Sequence, residues 1–271
     1  MRVPRRKRFG QHFLEPAWSD KVLEAIDPHP QDVFLEIGPG TGALTLRLAP
    51  RVAHLTAVEI DRDLVAGLAP RLPGNAVLVE GDVLETDLPS LTGSDSSMTI
   101  APVRVAGNLP YNVSSPIVFR ILELQSRRSV TDATLMLQRE VADRILARPG
   151  SAEYGVLSVL VQWRASVTRL LTLPPGAFRP PPKVTSALIR LTFRPPEIAV
   201  LDPAAFERLV RSMFTQRRKT LGNALAPFAA GTSLSAREAL KRARIDPGRR
   251  PQTLQLVEIA GLADIFTSAL R

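Results

Sequence analysis

The strongest constraint on the fold is an alternation of short apolar runs with longer amphipathic segments, which begins near residue 32. Strands separated by helices in this way are typical of βαβ units, in which the strands lie parallel and helices cover both faces. The last two apolar runs have no helix between them, which predicts one antiparallel strand at the edge of the sheet. The predicted strands are Val33–Ile37, 55–60, 76–79, 103–106, 133–137, 167–173 and 186–193, and the predicted helices begin at 42, 63, 117, 140 and 154.

A pair of prolines at positions 195 and 196 follows the last predicted strand and precedes segments with helical periodicity. Proline pairs of this kind interrupt regular structure, so we place a domain boundary there. Residues 1–195 are expected to form an α/β domain with a basic N-terminal arm, and residues 196–271 a small helical domain.

The charge distribution indicates a polyanionic partner. The chain has 35 basic and 26 acidic residues, a net charge of +9. The first 12 residues hold five basic and no acidic side chains, and residues 197–271 hold 12 basic and 7 acidic ones, so the excess lies at the two ends. Nucleic acid would be held from both ends, although an arginine-rich composition that serves solubility fits the same numbers.

The composition also excludes several classes of protein. The chain has no cysteine, which removes disulfides, thiolate nucleophiles and cysteine-ligated metals, and its three histidines are not spaced as a ligand pair. We therefore expect no metal. No apolar run approaches the roughly 18 residues of a membrane span, and the basic N-terminus lacks the apolar core of a secretion signal, so a cytoplasmic location away from membranes is expected.

Glycines and carboxylates follow the first three strands, at the positions where ligands bind in sheets of this kind. Gly38, Gly40 and Gly42 follow the first strand, and Glu59 ends the second strand 21 residues after Gly38. The glycine run fits a dinucleotide fingerprint, and a carboxylate at Glu59 would accept hydrogen bonds from ribose hydroxyls. These two features fit NAD and S-adenosylmethionine equally. Asp82, after the third strand, would bind the adenine amine of S-adenosylmethionine.

The fourth strand ends in Asn108-Leu109-Pro110-Tyr111, which favours methyl transfer to a ring-attached amino group. The lone pair of such a nitrogen is delocalised into its ring. The Asn108 side-chain oxygen and the Leu109 carbonyl would bind the two amino hydrogens and draw the nitrogen towards tetrahedral geometry. Pro110 would stiffen the turn, and Tyr111 offers a face on which a planar base stacks.

Together with these motifs, longer segments make the chain resemble the KsgA-type family of small-subunit ribosomal RNA adenine dimethyltransferases over nearly its whole length. The segments are 6–14 (RKRFGQHFL), 108–116 (NLPYNVSSP), 137–142 (LQREVA), 178–184 (FRPPPKV) and 214–223 (FTQRRKTLGN). The resemblance implies a Rossmann-like class I methyltransferase sheet that uses S-adenosylmethionine. It also implies dimethylation, at N6, of two adjacent adenosines in a hairpin loop near the 3′ end of 16S rRNA, late in small-subunit assembly, by an enzyme expected to be a monomer.

The resemblance also implies roles for individual residues. His12, at a position where many members have asparagine, and Leu14 would close over the cofactor. Phe178 would stack on the target adenine opposite Tyr111. The remaining cofactor contacts implied are Gly38, Gly40, Glu59, Asp82 and Asn108, and the rRNA contacts are Arg5, Arg6, Lys7, Arg8, Arg217, Arg218 and Lys219.

Other functions remain open from sequence. The antibiotic-resistance enzymes that dimethylate 23S rRNA share the fold and most motifs, and DNA adenine or protein glutamine methyltransferases also use an Asn-x-Pro-Tyr turn. An NAD-dependent oxidoreductase fits the glycine run but gives Asn108–Tyr111 no task. An assembly protein without catalysis is the remaining alternative.

Overall fold

The computed structural model describes residues 12–91, 102–127 and 130–269. The chain groups into two compact units, one drawn from Met1–Ala142 with Ser166–Phe193 and the other from Asp143–Ala165 with Arg194–Arg271. Segment 143–165 therefore groups with the C-terminal residues. The domain boundary predicted at residue 195 stays a prediction. Within the described ranges, no helix is long and apolar enough to cross a membrane.

The first unit is built on a seven-stranded sheet with the order β4-β3-β2-β5-β6-β9-β7. Strands β2 to β6 pair in parallel wherever they are neighbours, with Ile37 of β2 between Val58 of β3 and Gly107 of β5. The strands are β1 (Phe13–Leu14), β2 (Val33–Ile37), β3 (His54–Glu59), β4 (Ala76–Glu80), β5 (Val103–Asn108), β6 (Val130–Gln138), β7 (Ala165–Leu173), β8 (Phe178–Arg179) and β9 (Ser186–Phe193). This arrangement confirms the predicted mostly parallel α/β sheet.

The antiparallel strand is not at the edge, where the sequence analysis placed it. β9 runs antiparallel to β6 and lies between β6 and β7, so that β7 takes the edge position. The burial of the two strands explains this order. Five of the eight residues of β9 are buried, whereas β7 is buried only at its two ends and the seven residues between them are exposed or half-buried, as expected of an edge strand.

The helices vary from single turns to four turns. They are α1 (Pro16–Ile26), α2 (Thr45–Leu48), α3 (Arg62–Leu68), α4 (Leu88–Leu91), α5 (Ser114–Arg127), α6 (Arg139–Leu146), α7 (Val156–Arg164), α8 (Pro203–Thr215), α9 (Leu221–Ala224), α10 (Ala226–Ala229), α11 (Ala236–Ala243) and α12 (Leu256–Ser268). Short 3-10 turns cover Ala49–Arg51, Ala69–Arg71, Pro175–Ala177 and Pro251–Thr253.

Two arginines from the sheet hold the end of α1, a helix that the sequence analysis did not predict. The guanidinium groups of Arg104 and Arg190 each donate to the carbonyl of Ile26 at 2.8 Å. Arg104 also forms ion pairs with Asp32 at 2.6 Å and Asp132 at 2.7 Å. Positive charge at the carboxyl end of a helix binds its free carbonyls and opposes its dipole, so α1 is fixed at the base of the sheet.

A second, two-stranded sheet joins the N-terminal arm to the proline-rich segment 174–182. Strands β1 and β8 pair antiparallel, with Phe13 opposite Arg179 and Leu14 opposite Phe178. The carboxylate of Glu15 forms an ion pair with the guanidinium of Arg179 at the end of the pair. Residues more than 160 positions apart are thereby brought together.

The second unit is helical and has an aromatic core. The rings of Trp163 on α7 and Phe206 on α8 lie 4.7 Å apart, and Tyr154 meets Phe214 edge-on at 6.0 Å. Leu209, Val210 and Met213 complete the buried face of α8. Since α7 contributes to this core, its segment groups with the C-terminal helices.

Candidate active site

Within the first unit, the ends of β2, β3, β4 and β5 surround a cavity of about 320 Å³. Cavities of roughly 300–1,000 Å³ are typical of sites for small molecules. The strand order reverses between β2 and β5, and ligands in such sheets bind at this switch point. All seven predicted cofactor residues line the cavity: His12, Leu14, Gly38, Gly40, Glu59, Asp82 and Asn108.

The glycine loop after β2 follows a path that requires glycine. Gly38, Gly40 and Gly42 have φ angles of +67°, +58° and +82°, a region that side chains rarely adopt. A Cβ atom on Gly40 would lie 3.0 Å from the ring of Phe13, and one on Gly38 would lie 3.8 Å from the Asn108 carbonyl oxygen. The arm and the end of β5 therefore approach the loop closely.

The carboxylate of Glu59 holds the loops at the ends of β2 and β3. It accepts hydrogen bonds from the backbone N–H of Gly40 and of Asp61, each at 3.0 Å. Burial raises the pKa of Glu59, while these two bonds act in the opposite direction. Each carboxylate oxygen has a second lone pair, so hydroxyl groups of a ligand can still be bound.

Asn108 is tied to the N-terminal arm. Its side-chain N–H donates to the carbonyl oxygen of His12 at 2.7 Å. Only the nitrogen of the amide can donate to a carbonyl, so this bond fixes the orientation of the side chain, and no donor among the described residues bonds to the Asn108 oxygen. The imidazole of His12 donates from Nδ1 to the Pro180 carbonyl at 2.7 Å.

The other predicted residues differ in position. Leu109, Pro110 and Tyr111 line the cavity beside Asn108. Phe178 is absent from the described lining and is 1% exposed, because it packs in the core cluster that contains Leu14. The structure thus does not bring its ring to the cavity, and its stacking on adenine stays a prediction.

The predicted rRNA contacts lie partly outside the described residues. Arg5, Arg6, Lys7 and Arg8 precede residue 12, where the description begins. In the second unit, Arg217, Arg218 and Lys219 are exposed in the turn between α8 and α9, and the Arg217 guanidinium donates to the Ala152 carbonyl. Among the described residues, no group of three or more His, Asp or Glu side chains is placed to hold a metal ion.

Glu36 is a site residue that the sequence analysis missed. Its side chain lines the cavity and is 2% exposed, and its Oε2 atom has no hydrogen-bond partner among the described residues. Desolvation, together with the negative charge of Glu59, raises the pKa of Glu36 to about 7. The sequence feature that could have indicated Glu36 as a site residue is a carboxylate within an otherwise apolar strand, VFLEI.

The sheet order, the glycine loop, the strand-end carboxylates and Asn108–Tyr111 together define the class: a Rossmann-like methyltransferase. Solved structures agree. The chain superposes on a dimethyladenosine transferase from Plasmodium falciparum with a TM-score of 0.75 and 25% identity, covering 93% of this chain and 96% of that one. It also superposes on the 23S rRNA methyltransferase ErmE with a TM-score of 0.62 and 26% identity, covering 94% and 99%.

Sequence comparison narrows the class to a family. The family model for ribosomal RNA adenine dimethylase matches residues 3–262, so the chain belongs to this family. Relatives named ribosomal RNA small subunit methyltransferase A include those of Acinetobacter baylyi, 45% identical over 96% of this chain and 91% of that protein, and Syntrophotalea carbinolica, 47% identical over 96% of both.

The raised pKa of Glu36 predicts a specific dependence of stability on pH. An acid whose folded-state pKa is about 7 against an ordinary 4.5 disfavours folding progressively as pH rises through this window. We expect Glu36→Gln to stabilise the ligand-free protein at pH 8, and its advantage over wild type to grow by about 2–3 kcal/mol between pH 5 and pH 8.

Urea unfolding at the two pH values measures this difference. Glu85→Gln removes an exposed carboxylate from the same unit and should leave the pH dependence as in wild type. A Glu36→Gln protein less stable than wild type at both pH values would contradict the prediction.

Proposed function

We propose that this chain dimethylates, at N6, two adjacent adenosines in the hairpin loop near the 3′ end of 16S rRNA, with S-adenosylmethionine as methyl donor. Its partner would be the small ribosomal subunit at a late stage of assembly in the cytoplasm, and the enzyme would act as a monomer. Family membership and near-full-length relatives named small subunit methyltransferase A support this substrate.

The cavity fits S-adenosylmethionine, which when bound supplies a methyl group activated by a sulfonium. Gly38 and Gly40 would let the backbone approach its amino-acid end, because both line the cavity and neither has a side chain. Glu59 would accept the ribose hydroxyls and Asp82 the adenine amine. His12 and Leu14, in the arm that β8 holds, would cover the ligand.

One observation carries the chemistry: the hydrogen bond from Asn108 to the His12 carbonyl. It turns the amide nitrogen towards His12, so that the Asn108 oxygen, at the end of β5, would accept one hydrogen of the target amino group. The Leu109 carbonyl in the adjoining turn would accept the other. Two acceptors at one nitrogen would localise its lone pair, which would then attack the methyl carbon in line, so that the nitrogen–carbon bond forms as the carbon–sulfur bond breaks and its electron pair stays on the sulfur.

This chemistry needs no strong base. Once the nitrogen has four substituents, its proton is acidic and leaves to solvent. The aromatic face of Tyr111, which lines the cavity, would hold the extruded base by stacking. Phe178 would join it only if binding of RNA releases its ring from the core cluster.

A 23S rRNA substrate is the second candidate, since the fold of ErmE matches nearly the whole chain. The relatives named small subunit methyltransferase A are 42–47% identical, however, against 26% for ErmE. Neither an NAD-dependent oxidoreductase nor a non-catalytic assembly factor would need the hydrogen-bond acceptors and the aromatic ring of the Asn108–Tyr111 turn.

The test is methyl transfer from labelled S-adenosylmethionine to separate unmethylated small and large subunits, followed by mass spectrometry of the nucleosides. We expect N6,N6-dimethyladenosine in the small subunit alone, with about four methyl groups per particle when two N6 atoms are each methylated twice. Label in the large subunit would assign the chain to the 23S type, and label in neither would refute the proposal.

Asn108→Ala should lower the rate of methyl transfer by about 100-fold or more, because it removes a polar group that acts on the reacting nitrogen. Binding of small subunits should stay close to wild type, since Asn108 lies in the cavity and not on an exposed basic surface. Rates and binding are measured on the same preparations. Equal losses in both would mean that Asn108 supports the fold and not the reaction.

The basic turn of the second unit should contribute to the salt dependence of rRNA binding. Among the described residues, Arg218 and Lys219 have no acidic partner, so their charges are available to phosphates. Replacing both with glutamine should lower the slope of log affinity against log salt by about 1.5.

A double variant of matched charge provides the control. Arg62→Gln with Arg208→Gln removes two exposed cations that already face Glu80 and Asp202. Its salt slope should equal that of wild type. An unchanged salt slope in the Arg218 and Lys219 variant would mean that rRNA phosphates do not contact these two residues.

A further inference from the structure

We propose that Ser186 is a positioning residue for methyl transfer, which fixes the ring of Tyr111 through a hydrogen bond between the two hydroxyl groups. The inference deepens the proposed function and rests on it. No motif in the sequence singled out Ser186, because serine is common and this one lies just beyond the segment FRPPPKV.

The direction of β9 places Ser186 beside the cavity. The carboxyl ends of the parallel strands border the cavity. Because β9 runs antiparallel to β6, it is the first residue of β9 that lies at this end of the sheet. Ser186 is this first residue, and it pairs with Gln138, the last residue of β6. The antiparallel strand therefore adds a side chain to the site from its amino end.

The contact between the two hydroxyl groups is short and protected from water. The oxygen atoms of Ser186 and Tyr111 lie 2.6 Å apart, and Ser186 is 0% exposed. Burial raises the pKa of the Tyr111 phenol, and either of the two hydroxyl groups can donate the hydrogen bond to the other. The short side chain of Ser186 reaches the phenol while its backbone stays paired in β9.

The bond fixes the far end of a side chain whose near end is already held. The Tyr111 ring contacts the imidazole of His12, with centroids 5.2 Å apart and planes inclined by 31°. The Tyr111 backbone carbonyl accepts a bond from the Ser114 hydroxyl at 3.3 Å. With the phenol oxygen anchored by Ser186 as well, rotation of the ring is restricted and one orientation is presented to a base.

The reaction itself gives the phenol no chemical role, because neither a base nor a proton donor is required at that point. Its hydroxyl is therefore useful as an anchor for the ring face on which adenine stacks. Orientation of a bound base relative to the methyl donor contributes to the rate when the reacting atoms must align. Loss of either hydroxyl should then have the same effect, and loss of the second should add little.

A double-mutant cycle tests this coupling. Single-turnover methylation of unmethylated small subunits is measured for wild type, Ser186→Ala, Tyr111→Phe and the double variant. We expect each single variant to be about tenfold slower and the double variant to match them, because one hydrogen bond is lost in all three. Ser186→Ala at the wild-type rate, or a double variant about 100-fold slower, would overturn the proposal.

Raman spectroscopy gives a readout that does not depend on RNA. The chain has two tyrosines, so in a Tyr154→Phe background the tyrosine doublet reports on the Tyr111 hydroxyl alone. Ser186→Ala should change the intensity ratio of the doublet, and an unchanged ratio would overturn the contact. If wild type methylates neither subunit, the proposed function fails, while the Raman result still decides whether Ser186 anchors the ring.

Ser19→Ala is the matched control. Ser19 is also 0% exposed and its hydroxyl donates to the carbonyl of Glu15 in the same unit, but Ser19 is a residue of α1. It should leave both the methylation rate and the doublet unchanged. Equal effects of the two serine substitutions would mean that Ser186 acts through general stability, which would also overturn the proposal.

Discussion

The site depends on the parallel register of the central strands. Because β2, β3, β4 and β5 run in one direction and pair in register, their carboxyl ends meet at one edge of the sheet. Each end then contributes one group: the glycine loop, Glu59, Asp82 and Asn108. A displacement of any strand by one residue would turn these side chains to the opposite face, so the packing of the sheet fixes the chemistry.

Negative charge is concentrated at this edge and is costly there. Glu36 and Glu59 are both almost fully buried, and burial raises the pKa of each. The hydrogen bonds that Glu59 accepts from the backbone N–H groups of Gly40 and Asp61 offset part of its desolvation penalty. They also fix the glycine loop. A cationic ligand would offset the remainder, which suits a sulfonium better than the phosphates of a dinucleotide.

The strands and most of the lining of the cavity were predictable from sequence. Most of the strands are apolar runs, and the first four predicted strands are followed by the glycine loop, Glu59, Asp82 and the Asn108–Tyr111 turn. The pairing of β1 with β8 was not predictable, since two-residue strands carry no periodicity and lie far apart in the chain. For the same reason, the sequence did not indicate the contact of Ser186 with Tyr111 or the burial of Phe178 in the core cluster. Their surroundings depend on the interior position of β9 and on packing against the arm, neither of which leaves a local pattern.

The most direct test of the account is calorimetric titration with S-adenosylhomocysteine and with NAD. We expect wild type to bind one S-adenosylhomocysteine and no NAD. Gly40→Ala should bind at least about tenfold more weakly, because a side chain at φ +58° is strained and would meet Phe13. Gly74→Ala, whose Cβ would meet nothing within 4 Å, should bind as wild type does. Binding of NAD, or unchanged affinity in Gly40→Ala, would contradict the assignment of this cavity.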